Sequence, residues 1–419
     1  MGFVEKRDVY RPSTGEAPFR IDELFFSRTD KRGVIKSANY IFKRVSGYEW
    51  DELLGVPHKL IRHADMPKGV FWLFWEALNN GQPIGAYVKN KAKDGLYYWV
   101  FAIALPFNDG FLSVRLKPTS KILGVIEKEY ETLLKAEQAD KLTPEQSAAI
   151  LLTQLATLGF ENYAAFSSDA LMQEFSARDK GMGNPVNPAQ TKFNKMTAAA
   201  VSLKSETEAL TVGFDAISTV PTNMRIIAAR LEPSGGAISS LSQNYWEMSE
   251  EMSRWFQNYV SGTGSNFSAI GHTLVISQFY CGAARLLQES AEKFSGERRS
   301  LGGLDAEKEK ANMHDVAATF IEKARLGLTQ VAHEAEHILR AIAMMRRFTL
   351  GLSSTRVMCN IESARLPSGG GSLVDVIDQL EQFQGNLVGQ LDRIETHGHC
   401  ILENASTLLT KDSRVVIRH

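Results

Sequence analysis

VPHKLIRHADMPKGVFWLFW, residues 56–75, packs Arg62, His63 and Asp65 into four positions and continues into a dense aromatic run. The aromatic residues of that run are Phe71, Trp72, Phe74 and Trp75. Aromatic rings provide apolar area and stacking for a flat ligand, and charged groups can hold its polar edge. The stretch therefore predicts a buried, partly polar ligand. The alternative is a helix start followed by an aromatic core stripe.

Length and composition are those of a globular chain. The 419 residues suggest two or three domains, and the formal net charge of −1 argues against a general binder of nucleic acid or anionic membranes. No apolar run approaches the roughly 20 residues of a transmembrane helix, and the polar N-terminus is not a signal peptide. Three widely spaced cysteines, Cys281, Cys359 and Cys400, fit a reducing compartment. We therefore expect a cytoplasmic protein with no transmembrane segment and no nucleic-acid partner.

The surroundings of this stretch predict a small α+β domain over residues 21–118, after a polar arm at 1–20. A strand at 24–29, a turn and a strand at 34–38 form a hairpin. Short helical segments begin near Asn39 and Trp50, and three further strands are expected at 86–91, 97–105 and 110–117. This order predicts a five-stranded antiparallel sheet with short helices on one face.

Three strings in this domain resemble the FAD-binding PAS domain of bacterial aerotaxis transducers. They are FFSRTDKRGVIKSAN at 25–39, RVSGYEWDELLGVPHKLIRHADMPKGVF at 44–71 and VKNKAKDGLYYWV at 88–100. The resemblance covers nearly all of residues 22–118 and implies a flavin held between the sheet and its short helices. Carried over by position, it ties FAD binding, or signalling around FAD, to Asn39, Arg62, His63, Asp65, Phe71, Trp75 and Asn90. Ala64 stands where the family often has proline, and the loop at 106–110 is short.

The chemistry of these residues is compatible with the implied roles. Arg62 can pair with a pyrophosphate as a planar fork, and the Asn90 amide can read the donor–acceptor edge of a flavin ring. Trp75 offers a ring plane and one N–H group. The alternatives are a surface arginine, an outward-facing strand residue and a core tryptophan. A LOV-type photoreceptor is excluded, because that chemistry needs a cysteine and this domain has none.

Helices are predicted beyond residue 120. Residues 121–134 are amphipathic, and Thr143, Pro144 and Gln146 have the pattern of an N-cap, an N1 proline and a capping box. The glycine-rich residues 181–185 predict a linker at the end of a helical connector over 119–188. Residues 189–410 predict a mostly α-helical bundle or antiparallel coiled coil, and 411–419 form a tail.

Two helical segments end in a similar proline- and glycine-containing sequence, IIAARLEPSGG at 226–236 and IESARLPSGGG at 361–371. A helix that ends in proline and glycine predicts a hairpin turn, and two copies predict an internal duplication. The second copy resembles a degenerate chemoreceptor tip through Glu362, Ala364 and Arg365. That resemblance implies long antiparallel helices, with a chemotaxis kinase, a coupling protein or other chemoreceptors as candidate partners. The proline and the second copy leave kinase binding open.

Two short motifs could bind metal. HEAEH at 333–337 matches a zinc-protease pattern with Glu334 as base, but its flanks continue an amphipathic helix and no third ligand follows. HGHC at 397–400 could chelate a soft metal. We interpret both as surface features and predict no metal ligands.

Together, these inferences predict a cytoplasmic redox or oxygen sensor with no enzymatic activity. FAD in the PAS domain would report the redox state, and the helical half, as a homodimer, would transmit it to a signalling partner. Two alternatives stay open. One is a helical scaffold with a PAS docking module and no cofactor, and the other is a metalloenzyme built on His333 and His337.

Overall fold

The computed structural model describes residues 10–217, 220–230, 236–256, 266–294, 305–365 and 371–410. Within these ranges the chain divides into two compact units, one formed by 10–190 with 275–325 and the other by 191–274 with 326–410. Residues 1–9 of the predicted arm and the whole predicted tail at 411–419 lie outside the described residues. The domain boundaries predicted from the sequence stay a prediction.

The first unit contains one five-stranded antiparallel sheet with the order β2-β1-β5-β4-β3. Its strands are β1 (Phe25–Asp30), β2 (Ile35–Ala38), β3 (Ile84–Lys91), β4 (Tyr97–Phe107) and β5 (Gly110–Leu116). In the β1–β2 turn, the Asp30 carboxylate accepts hydrogen bonds from the amides of Arg32 and Val34 at 2.9 and 3.0 Å. Gly33 completes the turn with a φ of 75°, which favours glycine. The predicted hairpin and sheet are confirmed.

Twelve α-helices are described, and the first six belong to the first unit. They are α1 (Tyr40–Ser46), α2 (Trp50–Leu53), α3 (Lys68–Asn79), α4 (Ile122–Ala139), α5 (Pro144–Thr157) and α6 (Tyr163–Met182), with a 3₁₀ turn at His58–Ile61. The others are α7 (Pro188–Ile217), α8 (Val220–Arg230), α9 (Gly236–Phe256), α10 (Asn266–Phe294), α11 (Ala306–Ala364) and α12 (Gly371–Thr410). The predicted α5 capping box between Thr143 and Gln146 is present. The predicted start of a linker at Gly181 is wrong, because α6 continues to Met182 and ends at Gly183.

Later helices cover one face of the sheet. Phe26 of β1 packs edge-on against Phe294 of α10, with ring centroids 5.1 Å apart, and Trp99 of β4 packs against Tyr130 of α4 at 6.2 Å. Successive residues of a strand alternate between faces, so the neighbours of these side chains lie on the opposite face. That opposite face carries the candidate site.

Helix α3 begins at a terminus whose capping groups come from other helices. Pro67, at the N-cap position, has no side-chain acceptor. Instead, the Lys68 amide donates to Oε1 of Glu137 in α4 at 2.6 Å, and the Gly69 amide donates to Oγ of Ser147 in α5 at 3.0 Å. The Ser147 hydroxyl in turn donates to Glu137 at 2.5 Å. Side chains from α4 and α5 therefore satisfy N–H groups that a helix start leaves without partners.

We expect Gly69→Ala to lower the free energy of unfolding by about 1–3 kcal/mol, the usual cost of overpacking. An alanine Cβ would lie 2.5 Å from backbone atoms of Ser147 and Ala148, which cannot rotate away. The control is Gly124→Ala in α4, where a Cβ has no neighbour within 4 Å, and this variant should be at least as stable as the wild type. Urea unfolding measures both, and equal stability of the two variants would contradict the close approach of α3 and α5.

The second unit is helical, and its long helices are antiparallel. Contacts run in opposite directions along α11 and α12, pairing Leu339 with Gly398, Arg346 with Asp392, and Arg356 with Glu381. This confirms the predicted mostly helical region. The two predicted hairpin turns fall on 231–235 and 366–370, outside the described residues, so the duplication and the chemoreceptor-like tip stay predictions. No helix in the described ranges is long and apolar enough to cross a membrane.

Candidate functional site

A cavity of about 380 Å³ lies between the sheet and the segment from Pro57 to Leu78. The sheet wall consists of alternate residues of four strands, Ser27, Thr29, Val88, Asn90, Ala102, Ala104, Phe111, Ser113 and Arg115. The opposite wall is formed mainly by Pro57, His58, Lys59, Arg62, Phe71, Phe74, Trp75 and Leu78. The small side chains of Ala102 and Ala104 on β4 leave the space open. The volume falls within the range of roughly 300–1,000 Å³ that is typical of small-molecule sites.

Two buried hydrogen-bond donors in the cavity wall have no partner in the described part of the chain. They are Nδ2 of Asn90, which is 2% exposed, and Nη1 of Arg115, which is 5% exposed. Leaving a buried donor without an acceptor costs about 1–3 kcal/mol, and more for a charged group. The two donors therefore indicate a ligand that presents hydrogen-bond acceptors to the sheet.

Arg115 is a buried cation without a carboxylate partner among the described residues. Its Nη2 donates to Oγ of Ser27 at 2.9 Å and to Nε2 of His58 at 2.8 Å. Burial lowers the pKa of Arg115 to about 10, so the guanidinium still carries its charge at neutral pH. A buried charge of this kind favours a ligand that is anionic or becomes so.

His58 is the neutral acceptor for Arg115. Burial, and to a lesser extent the charge of Arg115, lowers the pKa of His58 to about 3. Since an arginine can only donate, Nε2 of His58 accepts and its proton is assigned to Nδ1. The ring also lies against Phe42, with centroids 5.7 Å apart. His58 therefore fixes the orientation of the Arg115 side chain.

We expect the stability of the protein to depend on pH through His58. In the unfolded chain this imidazole titrates near its ordinary value of 6.5, whereas in the fold its pKa is about 3. The unfolded state therefore binds the extra proton first, and stability falls by about 1.4 kcal/mol per pH unit as pH drops from 6.5 toward 3. His58→Gln, which keeps an acceptor for Arg115, should remove this contribution, whereas the exposed His314→Gln should not. Urea unfolding between pH 7 and about 4.5 measures the slopes, and equal slopes for His58→Gln and the wild type would contradict the assignment.

Four of the seven predicted site residues line the cavity, namely Arg62, Phe71, Trp75 and Asn90. The Arg62 guanidinium lies 3.8 Å from the ring centroid of Phe71, and Nη2 donates to the Met66 carbonyl at 3.4 Å. Burial lowers the pKa of this half-buried arginine. Trp75 packs against Phe111 with ring centroids 5.4 Å apart. The structure thus brings these four residues together in the walls of one cavity.

Asn39 lies outside the cavity and has a structural role. Its Oδ1 accepts from the amides of Phe26 at 3.0 Å and Phe42 at 3.2 Å, and its Nδ2 donates to the Leu24 carbonyl at 2.8 Å. The side chain therefore caps α1 and joins it to β1. Its placement gives no support to the predicted contact with FAD.

His63 and Asp65 also lie outside the cavity, in the loop before α3. The Asp65 carboxylate pairs with Lys89 at 2.6 Å and lies 3.4 Å from Nδ1 of His63. The Asp65 amide donates to the same Nδ1 at 3.1 Å. The two residues shape this loop and attach it to β3, and their role in FAD binding or in signalling around FAD stays a prediction.

His58 and Arg115 are the site residues that the sequence reasoning missed. A signal for Arg115 is present in the strand GFLSVRL, where a lone charge shares a strand face with Phe111 and Ser113. A charged residue at an inward position of an apolar strand indicates a functional site. His58 lies within residues 56–75, four residues before Arg62.

An open groove of about 680 Å³ adjoins the cavity and shares Arg62, Phe71 and Trp75 with it. Its other lining residues are Lys68, Trp72, Glu76, Asn79, Asn80 and Pro144. The groove combines two cations, two indole rings and two carboxamides. The cations can bind phosphates, the indole rings can stack on a nucleotide base, and the carboxamides can form hydrogen bonds with the edge of that base.

The histidines of the HEAEH motif lie on an exposed face of α11. Their Nε2 atoms are 3.0 Å apart. In the described ranges, no cluster of three or more histidine, cysteine, aspartate or glutamate residues could hold a metal ion. The metalloenzyme alternative stays an untested hypothesis.

Residues 35–112 match the model of a PAS fold. The chain is 39% identical over 121 residues to the Aerotaxis receptor of Escherichia coli K12, an alignment that covers 28% of this chain and 24% of that protein. It is 33% identical over 106 residues to the Biofilm dispersion protein BdlA of Pseudomonas aeruginosa PAO1, covering 24% of this chain and 25% of that protein. The chain thus matches about a quarter of the length of each relative. The predicted N-terminal PAS domain is confirmed.

Solved structures with a similar fold include the light state of the blue-light photoreceptor Aureochrome1 LOV. It is 17% identical, covers 26% of this chain and 90% of that chain, and has a TM-score of 0.23. The Erythrobacter litoralis EL346 blue-light activated histidine kinase is 12% identical, covers 43% of this chain and 58% of that chain, and has a TM-score of 0.23. Neither likeness bears on the ligand of this chain.

Proposed function

We propose that this chain is a redox sensor that binds FAD non-covalently in its PAS domain and passes the redox state to its helical regions. The observation that carries the proposal is the pair of buried donors in the cavity wall, on Asn90 and Arg115, that have no partner among the described residues. The similarity of this domain to the Aerotaxis receptor supports it. We propose no catalysed reaction.

The cavity residues fit the ring system of a flavin. Asn90 can both donate and accept along the polar edge of the ring, and Arg115 adds a cationic donor. Phe71, Phe74 and Trp75 offer aromatic faces and edges to a flat, largely apolar body. When bound, FAD supplies reversible one- and two-electron redox chemistry. A buried Arg115 would favour the more electron-rich state, because negative charge on the ligand would neutralise the guanidinium.

The adjoining groove favours FAD over a smaller flavin. Arg62 lies where the cavity and the groove meet, so its fork can hold a pyrophosphate that leads from one to the other. Lys68, Trp72 and the amides of Asn79 and Asn80 would then serve the adenosine half. A ligand without the nucleotide tail would leave these groups unused.

The proposal extends to the output. The helical regions would transmit the state as a homodimer, with a chemotaxis kinase, a coupling protein or other chemoreceptors as partners. The chain matches only about a quarter of the Aerotaxis receptor and of BdlA, so this part of the proposal rests on the PAS domain and on the resemblance of residues 361–371 to a receptor tip. The expected location in the cytoplasm stays a prediction.

A titration of the apoprotein with FAD tests the function. We expect saturable one-to-one binding in the wild type, and a roughly 10- to 100-fold weaker affinity for Asn90→Leu, which removes the amide that meets the ring edge. Asn223→Leu, at an exposed position of α8, is the control and should bind as the wild type does. A wild-type chain that shows no saturable binding of FAD would contradict the proposal and favour a scaffold without a cofactor.

A further inference from the structure

A fully buried carboxylate, Glu174 of α6, joins three elements of the first unit. Its Oε1 accepts from the Tyr87 hydroxyl of β3 at 2.6 Å and from the Ser120 hydroxyl at 2.6 Å. Its Oε2 accepts from the amides of Thr119 at 2.6 Å and Ser120 at 3.0 Å. Thr119 and Ser120 form the connection between β5 and α4. Glu174 therefore holds a strand and the start of a helix together.

No cation in the described part of the chain forms an ion pair with Glu174. A carboxylate removed from water is costly unless hydrogen bonds replace the lost solvent, and here four donors do so. Burial, and then the charge of Glu174, raises the pKa of Tyr87 far above its usual range, so the phenol keeps its proton and donates. An apolar side chain would fill the same space without this desolvation, which indicates that the position needs directed hydrogen bonds.

Both segments that donate hydrogen bonds to Glu174 belong to, or follow, strands that line the cavity. Tyr87 lies in β3, the strand that carries Asn90, but its side chain points to the opposite face of the sheet. Thr119 and Ser120 are the third and fourth residues after the end of β5, the strand that carries Arg115. Since β4 separates β3 from β5 in the sheet, Glu174 provides a second connection between the two strands that carry the donors without partners.

We infer that Glu174 and Tyr87 are positioning residues that couple β3 and β5 to the start of α4, so that a change of redox state in the cavity alters the hydrogen bonds of Thr119 and Ser120. The inference rests on the proposed function as an FAD sensor. Small shifts of β3 relative to β5 would change the distances to one carboxylate that both elements share. Because the Thr119 and Ser120 amides donate directly to Glu174, their exchange with solvent reports on this coupling.

The experiment is hydrogen exchange of the full chain loaded with FAD, with the flavin oxidised and then reduced anaerobically. We expect reduction to change the exchange rates of the Thr119 and Ser120 amides by about threefold or more in the wild type. Tyr87→Phe removes one donor and should abolish this redox difference while it retains bound FAD. Tyr163→Phe is the matched control, because this buried hydroxyl of α6 has no partner among the described residues and its loss should leave the difference intact. If Tyr87→Phe does not fold, Glu174→Gln, which keeps the shape of the side chain, replaces it and should also abolish the redox difference in exchange.

Two results would overturn the inference. The first is a redox difference of wild-type size in Tyr87→Phe, even if exchange changes equally in both redox states, which is the signature of a merely structural residue. The second is a wild-type chain that binds FAD but shows no redox difference at residues 119–120, in which case the flavin function stands and only the coupling is wrong. A wild-type chain that binds no FAD would instead refute the proposed function, and the coupling with it.

Discussion

Arg115→Met is expected to weaken FAD binding by roughly 10- to 100-fold, as for a lost charge-assisted hydrogen bond, while the apoprotein keeps or gains stability. Arg115 is a buried cation without a carboxylate partner in the described ranges, and burial lowers its pKa from the ordinary value of arginine to about 10. That shift corresponds to a destabilisation of about 3 kcal/mol at neutral pH. The lost contacts with Ser27 and His58 offset part of the gain, at about 1 kcal/mol each. The affinity for FAD should therefore fall, whereas the free energy of unfolding of the apoprotein should stay the same or rise.

The matched control for Arg115 is Arg28, which lies in β1 and points to the opposite face of the sheet. Arg28 pairs with the buried carboxylate of Glu309 at 2.6 Å. Arg28→Met should lower the free energy of unfolding by roughly 3 kcal/mol, because it leaves Glu309 buried and without its cation, and should leave FAD binding unchanged. Fluorescence titration with FAD and thermal unfolding of the apoprotein measure both quantities. An Arg115→Met protein that binds FAD like the wild type would contradict the role assigned to this residue.

Arg62→Ala is expected to reduce the affinity for FAD by roughly 10- to 50-fold and to change the affinity for riboflavin by no more than about twofold. Riboflavin has the ring system but no phosphate, and the guanidinium lies where the cavity meets the groove. Arg62→Lys should fall between the wild type and Arg62→Ala, because lysine keeps the charge but loses the planar fork.

Binding of FAD and riboflavin to the wild type, Arg62→Ala and Arg62→Lys is measured by titration. If riboflavin loses as much affinity as FAD, Arg62 supports the ring or the local fold rather than the phosphates. If the wild type shows no preference for FAD over riboflavin, the groove does not bind the nucleotide half. Either result leaves the assignment of Asn90 and Arg115 to the ring untouched.

The sequence predicted those parts of the site that are contiguous in the chain. Residues 56–75 contain most of the wall formed by α3 and the 3₁₀ turn, so Arg62, Phe71 and Trp75 could be placed together from the string alone. Asn39 shows the limit of this reasoning. An asparagine before a helix is an N-cap pattern, and here its carboxamide caps α1 and bonds to the backbone of Leu24 and Phe26.

The rest depends on strand register and on contacts between residues distant in sequence. The partners of Arg115 cannot be read from its own strand, because Ser27 lies in β1, the strand paired with β5, and His58 lies in the 3₁₀ turn. The outer face of the sheet is covered by α10 and α11, and the Arg28–Glu309 pair joins residues 281 positions apart. Local periodicity carries no information about such pairs, so the sequence predicted helices there but not their attachment to the sheet.

The absorbance spectrum of the purified chain, under air and after anaerobic reduction, is the decisive measurement for FAD binding. We expect the bands of an oxidised flavin under air, reversible bleaching on reduction, and FAD as the chromophore released on denaturation. A colourless protein that retains no added FAD, or a Soret band from haem, would contradict it.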